Sequence, residues 1–189
     1  MEIFSFVLGG VWVVFWAYWF IVAARNRAPA KQRQAFPPLL TITFLLILAW
    51  GVFAGAAPSG LLQERIVPDI VWFGALGLAI TLFGLGIAIW ARVHLGQNWS
   101  SRPTIRVGHT LVRTGPYRFV RNPIYTGLLV AYAGTAVVIG AFWAFPLILF
   151  LAVAFLMRIR EEEKLLLGEF GGAYEEYRRE VKALLPWIL

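Results

Sequence analysis

An all-α fold, a polytopic membrane helix bundle of about five spans, is the architecture this sequence predicts. Three observations point to it. The chain has 189 residues of which 60% are apolar, with 9 Trp and 15 Phe, which is greasier than a soluble domain of that size. The apolar residues fall in runs long enough to cross hydrocarbon, for which a helix needs about 17–25 residues. None of the runs alternates apolar with polar residues as a barrel strand would. Backbone polar groups in lipid must be paired within their own segment, so the spans are expected to be helices.

The first run, Ile3–Ala24, ends in the basic stretch "RNRAPAKQR". The start "MEIFSF" has no basic leader of the kind a secretory signal peptide carries. The second, Leu39–Ala57, follows Pro37-Pro38 and stops at Pro58-Ser59-Gly60. The third covers Ile70–Ala91. The remaining apolar stretch, Ile124 to Met157, would make a helix of about 51 Å at 1.5 Å per residue. One crossing needs only about 30 Å. It is therefore read as two short spans turning near Gly140–Pro146.

Two of the runs carry small residues at helical spacing: Gly77, Thr81, Gly84, Ala88 and Ala91, then Gly127, Ala131 and Gly134. Stripes of this kind let helices approach closely, so packing is their expected role. From Arg158 the fifth span is expected to run on through "RIREEEKLLLGEF", broken by Gly171-Gly172. The tail "AYEEYRREVKALL" reads as a surface helix with Tyr174, Tyr177, Val181, Leu184 and Leu185 on one face, and "PWIL" as an interfacial anchor. No internal repeat or low-complexity linker divides the chain. It is read as one domain over 1–189, with three N-terminal spans in 1–91 and a second half in 92–189 made of a cytosolic loop, a helical hairpin and the C-terminal tail.

Charge orients the bundle. The 17 Lys and Arg split into four in 25–33, Arg65 alone in 58–69, six in 92–123 and six from Arg158 onward. With alternating sides, all but Arg65 fall on one face, which the positive-inside rule makes cytoplasmic. The N-terminus is then expected outside, with loop 92–123 and the C-terminus in the cytosol. The formal charge of +7 is explained by this bias and by membrane lipids as partners, without nucleic acid. There is no cysteine, so disulfides and thiolate metal sites are excluded. With only His94 and His109 and the acids clustered in the tail, no metal site is expected. No phosphate-binding glycine loop follows a strand.

Segment 92–123 holds six arginines and no Asp or Glu, yet it is more than a retained loop. Gly115-Pro116 and Asn122-Pro123 are turn formers. Pro123 suits the first turn of a helix. Tyr117, Arg121, Asn122 and Tyr125 are thereby expected together at the membrane surface. Arg158 and Glu162, four apart on a helix, share a face, and spacing alone fits a solvated ion pair as well as a binding site. Arg158 stands where the apolar run stops and is placed to hold an acidic group at the lipid boundary, for an arginine fork grips a carboxylate through two bonds. Glu162, one turn further out, is placed to accept hydrogen bonds from a polar cofactor; Glu161 and Glu163 are expected in solvent.

The ordered set "NWSSR", "HTLVRTGPY", "RNPIYTG", "RIREE" and "FGGAY" resembles the isoprenylcysteine carboxyl methyltransferase family, within a wider group of membrane methyltransferases. The likeness runs over residues 98–187, while the first 90 residues match only as apolar spans. It implies binding of S-adenosylmethionine by Arg102, by His109, Thr110, Leu111 and Val112, by Tyr117, by Asn122, Pro123, Ile124 and Tyr125, and by Glu162. It also implies that Arg158 is the catalytic and substrate-binding arginine that engages the acceptor's carboxylate. One departure stands out: the family's Arg-His-Pro is Arg121-Asn122-Pro123 here. Asn cannot ionise near neutral pH, so proton transfer at that position is excluded while cofactor binding is not. The expected reaction is carboxyl O-methylation of an isoprenylcysteine-like, lipophilic or prenylated acceptor. The alternatives are a phenolic or isoprenoid lipid, a small thiol or a phospholipid amine as acceptor. An NADPH-dependent membrane reductase and a non-catalytic lipid-binding membrane protein remain as readings of other classes.

Overall fold

The computed structural model describes residues 2–25, 30–33, 64–99, 104–106 and 110–185. The expected span Leu39–Ala57, Arg102, His109 and the terminal "PWIL" lie outside the described residues. Within them the chain is a helical bundle. Helix α1 covers Glu2–Arg25 and α2 covers Val71–Leu95. A short 3-10 turn, Gly115–Arg118, leads into α3, Pro123–Ile139. Helix α4 covers Ala144–Phe170 and α5 covers Gly172–Glu180. One feature had no signal in the sequence: strands β1 (Ala30–Arg33) and β2 (Thr104–Arg106) pair antiparallel, Ala30 opposite Arg106 and Arg33 opposite Thr104.

Helices α1 and α2 are long and apolar enough to cross a membrane. On α2 the exposed Trp72 and Trp90 lie 18 residues apart (90 − 72), about 27 Å along a helix axis. That spacing suits indoles at the two interfaces of a hydrocarbon layer about 30 Å thick. Helix α3, with 17 residues, spans about 25 Å, and the apolar part of α4, 144–157, about 21 Å. The expected split of the long run into two short arms is thus observed, with the turn at 140–143.

Helices α2 and α3 make the most extensive pairing in the bundle. Their small residues are the cause. A Cβ added at Gly84 would lie 2.5 Å from the Gly127 carbonyl oxygen, and one at Gly134 2.5 Å from the Gly77 carbonyl oxygen. Backbones this close leave no room for a side chain, so the two stripes pack as expected. A polar node ties in the third helix: Trp12 Nε1 donates to Thr135 Oγ1 at 3.0 Å, and Thr81 Oγ1 donates to the Gly77 carbonyl at 2.9 Å within 3.5 Å of Thr135 Oγ1. The core around it contains Phe15, Trp19, Leu128, Tyr132, Leu151 and Phe155. Large apolar side chains such as Phe6, Trp72, Phe83 and Leu149 point outward instead, as they do in a protein solvated by lipid.

At one end, Arg65 caps the hairpin. Its Nη1 donates to the Ile139 carbonyl at 2.8 Å, where the negative end of the α3 dipole lies. Ile66 N–H donates to the Gly140 carbonyl at 2.9 Å, and Phe142 N–H to the Glu64 carbonyl at 3.0 Å. Gly140 has φ +71, and a Cβ there would strike the Arg65 guanidinium. The isolated arginine of the charge pattern therefore stands against the hairpin turn.

The tail departs from the expected helix. Helix α5 stops at Glu180, and Val181 is extended at φ −119, ψ 132. Tertiary hydrogen bonds displace the helical ones. Arg121 N–H donates to the Lys182 carbonyl at 2.8 Å, Asn122 N–H to Ala183 at 3.0 Å, and Thr126 Oγ1 to Leu184 at 2.8 Å. Tyr174, Tyr177 and Leu184 are buried, whereas Leu185 is exposed.

Candidate functional site

The site lies at the end of the hairpin opposite Arg65, where α3 begins and the apolar part of α4 ends. Pro123 opens α3 with Asn122 at the N-cap position, so Tyr125 falls in the first turn. Arg158 and Glu162 follow the apolar run of α4 on the face that also buries Leu151, Phe155 and Ile159. Three side chains meet there. Arg158 Nε donates to the Tyr125 hydroxyl at 2.7 Å and lies 3.1 Å from Glu162 Oε1. The Tyr125 hydroxyl in turn donates to Glu162 Oε1 at 2.8 Å. Tyr125 also packs its ring on Phe155, centroids 5.1 Å apart.

Burial divides the triangle. The Arg158 side chain is 1% exposed and that of Glu162 is 25% exposed. The guanidinium is enclosed while the carboxylate borders water. Glu162 lies beyond the apolar stretch of α4. Burial raises its carboxyl above the ordinary value, against the opposing pull of Arg158 and the Tyr125 hydrogen bond.

Tyr117 is near enough for its ionisation to feel Glu162. Its phenol is raised first by burial and then by that carboxylate. The hydroxyl reaches the Ala91 carbonyl at 3.4 Å, and the Tyr117 carbonyl accepts from the Tyr177 hydroxyl at 2.6 Å. Pro123 and Ile124 are buried beside Tyr125, and Val112 packs against the core. Thr110 stands apart: its Oγ1 accepts from Asn98 Nδ2 at 3.0 Å, and its amide donates to Asn98 Oδ1 at 3.3 Å. The Asn122 side chain donates to the Ala183 carbonyl at 3.2 Å, so it holds the tail.

Three roles escaped the sequence reading. Glu163, expected in solvent, accepts from Arg121 Nε at 2.9 Å and Nη2 at 2.7 Å, with both side chains largely covered. Arg121 Nη1 also donates to the Arg178 and Val181 carbonyls, so this ion pair clamps the tail to α4. The physical reason is that the tail, lacking helical bonds after Glu180, presents carbonyls that only a multi-donor side chain can serve. Arg92 is 3% exposed, lies 4.0 Å over the Trp99 ring and donates to the Gly96 carbonyl at 3.1 Å. His94 Nε2 pairs with Thr114 Oγ1 at 2.8 Å, which fixes the loop entering Gly115. The last two sit in the final turn of α2, where basic residues favour the helix dipole, but only the fold shows what they meet.

No group of three or more metal-ligating side chains occurs among the described residues. The described donors that gather are thus a carboxylate, a guanidinium and phenols.

Comparison with known proteins shows what the chain is similar to. The model of the isoprenylcysteine carboxyl methyltransferase family matches residues 76–168, which include the triangle and both small-residue stripes. A probable protein-S-isoprenylcysteine O-methyltransferase of Oryza sativa subsp. indica is 34% identical, over 79% of this chain and 82% of that protein. A protein-S-isoprenylcysteine O-methyltransferase of Xenopus laevis is 32% identical over 89% of this chain and 59% of its own length. A methanethiol S-methyltransferase of Mycobacterium tuberculosis is 36% identical over 84% of this chain and 65% of its own. The chain thus spans less than two thirds of the length of several curated relatives it matches. A solved structure of the eukaryotic intramembrane Ras methyltransferase shares the fold, with a TM-score of 0.61 at 23% identity, covering 82% of this chain and 55% of that one. A relative 34% identical and covered over 82% of its length, together with the family model matched at residues 76–168, shows that the chain belongs to the isoprenylcysteine carboxyl methyltransferase family.

Proposed function

We propose that this protein is an S-adenosylmethionine-dependent methyltransferase acting on the carboxylate of a lipophilic, isoprenylcysteine-like acceptor. The observation that carries the reading is the triangle of Arg158, Tyr125 and Glu162 at the junction of apolar hairpin and polar tail.

The donor set suits the cofactor. Glu162 is a carboxylate reachable from water, fit for a cationic ligand group, and it lies near enough to Tyr117 to raise that phenol. Family likeness adds Arg102, His109, Thr110, Leu111, Val112 and the stretch Asn122, Pro123, Ile124 and Tyr125 to that set. S-adenosylmethionine supplies an electrophilic methyl carried on a sulfonium. Arg158 orients the acceptor carboxylate, which is already anionic at pH 7 and needs no base. Tyr125 holds Arg158 and Glu162 at fixed separation, so the acceptor-side and donor-side groups keep register. Asn122 moves no proton and serves as a tie to the tail. Alignment and exclusion of water are what the protein contributes, and near-attack positioning alone is worth about 7–11 kcal/mol. The positive-inside pattern favours a cytosolic site, with the N-terminus outside.

A second acceptor has an observation of its own. The 36% identity to a methanethiol S-methyltransferase extends over 84% of this chain, so a small thiol is the competing substrate. The test is transfer of labelled methyl to an N-acylated S-farnesylcysteine and, separately, to methanethiol, by protein reconstituted in lipid. Label entering the farnesylcysteine as a base-labile ester supports the proposal. Label entering only methanethiol replaces the acceptor while keeping the cofactor. If Glu162→Ala binds S-adenosylmethionine like the wild type, the assignment of that carboxylate is wrong.

A further inference from the structure

The face of α4 opposite the triangle carries a second feature. Leu149, Val153 and Met157 recur every four residues on one helical stripe and are 69%, 49% and 54% exposed. Residues at that spacing share a face, so the stripe forms an apolar track along the lipid side of the bundle. Where the track ends, the same face continues as Arg160 and Lys164, and Arg178 joins from α5. Together with Met157 and Leu167 they line a groove of about 450 Å³. A track suited to an acyl chain therefore runs directly into a basic groove at the level where headgroups lie.

We propose that this groove binds the headgroup of an anionic glycerophospholipid, with one acyl chain lying along Leu149, Val153 and Met157. The charges decide the sign of the ligand. Glu161 and Glu163 also border the groove, but each is engaged: Lys164 Nζ lies 2.7 Å from Glu161 Oε1, and Glu163 is held by Arg121 at 2.7 Å and lies 3.6 Å from Arg178. The Arg160 side chain is exposed and makes no ion pair or hydrogen bond among the described residues. The Lys164 and Arg178 side chains are 68% and 46% exposed, so both present further donors to the groove. A phosphodiester meets that demand, and its attached chains meet the track above it. Arg158 and Glu162 point to the other side of α4, so this site is separate from the methyl-transfer site. The inference rests on the membrane fold alone and does not depend on which acceptor is methylated.

The full chain, purified in detergent doped with equal phosphatidylglycerol and phosphatidylcholine, tests it, with retained lipid counted by mass spectrometry after washing. The wild type is expected to retain phosphatidylglycerol in preference. Arg160→Gln is expected to cut that preference about five-fold, and Arg160→Gln with Lys164→Gln further, since each cation near an anionic lipid surface contributes about 1 kcal/mol. Arg179→Gln, an equal charge change on the exposed side of α5, is expected to leave it unchanged. Equal retention of the two lipids by the wild type overturns the proposal. So does an Arg179→Gln loss as large as that of the double variant, which would reflect general attraction rather than a site. Displacement of the lipid by soluble glycerol phosphate at matching concentration overturns the lipid assignment.

Discussion

Replacing Tyr125 with Phe removes a single oxygen and tests the triangle most directly. The ring keeps its packing on Phe155. Two hydrogen bonds to charged groups are lost, at 2.7 Å from Arg158 and 2.8 Å to Glu162. Each such bond is worth about 1.5–3 kcal/mol. Arg158 Nε and Glu162 Oε1, already 3.1 Å apart, recover part of that by pairing more closely. A net loss of about 2 kcal/mol remains, and at about 1.4 kcal/mol per decade it lowers kcat/KM about 30-fold. The assay is initial-rate methyl transfer in reconstituted bilayers, with kcat and KM taken separately for cofactor and acceptor, and helicity followed by circular dichroism. Wild-type kcat/KM in Tyr125→Phe would refute the bridge as a positioning element. A lowered Tm with unchanged kinetics would refute it equally, leaving the hydroxyl only a strut.

Other expectations follow from the same geometry. Arg158→Lys keeps the charge but loses the planar fork, so acceptor KM should rise at least ten-fold while S-adenosylmethionine affinity holds, measured by calorimetry. Glu162 is raised by burial, so the folded chain holds its proton to higher pH than the unfolded chain does; its contribution to stability is complete below the unfolded value and is lost as pH rises through the folded one. Binding of a cationic ligand runs the other way: it needs the carboxylate, so affinity should fall on acidification with a midpoint above the ordinary carboxylate range, and Glu162→Gln should abolish that dependence in pH-series calorimetry. Gly84→Leu should destabilise the α2–α3 contact by about 1–3 kcal/mol or prevent assembly, whereas Gly86→Leu, with open space around it, should leave Tm unchanged. Arg121→Ala leaves the largely covered Glu163 carboxylate with only the longer contact to Arg178, a loss of about 1–3 kcal/mol, and should expose residues 172–185 to limited proteolysis.

Much of the bundle was legible because membrane helices obey local rules. The ends of α1 and α2 follow hydropathy and charge, and α3 begins at the Asn-Pro pair as its turn chemistry requires. The α2–α3 contact was readable because close packing in lipid needs small residues at helical spacing. Arg158 and Glu162 share a face by i,i+4 spacing alone, which is why two of the triangle's three corners were legible in the sequence. The tail misled because its apolar periodicity after Glu180 was outcompeted by carbonyl acceptance from Arg121, Asn122 and Thr126, partners 58 to 61 residues away. The β1–β2 ribbon gave no signal because its strands are four and three residues long.

By itself the order of residues determined that this chain forms apolar helices, where the hairpin must turn, which end carries the charge, and that an arginine and a carboxylate face the same way near that end. All of these depend on neighbours within a turn or two, where backbone geometry decides who meets whom. Only the tertiary structure decided that Tyr125 bridges that pair, that Arg121 and Glu163 fasten the tail, that Arg65 caps the hairpin, and that Arg160 lies open at the foot of a lipid-facing track. Those outcomes depend on which donors and acceptors are left after the helices have paired, a competition between distant segments that no local pattern encodes.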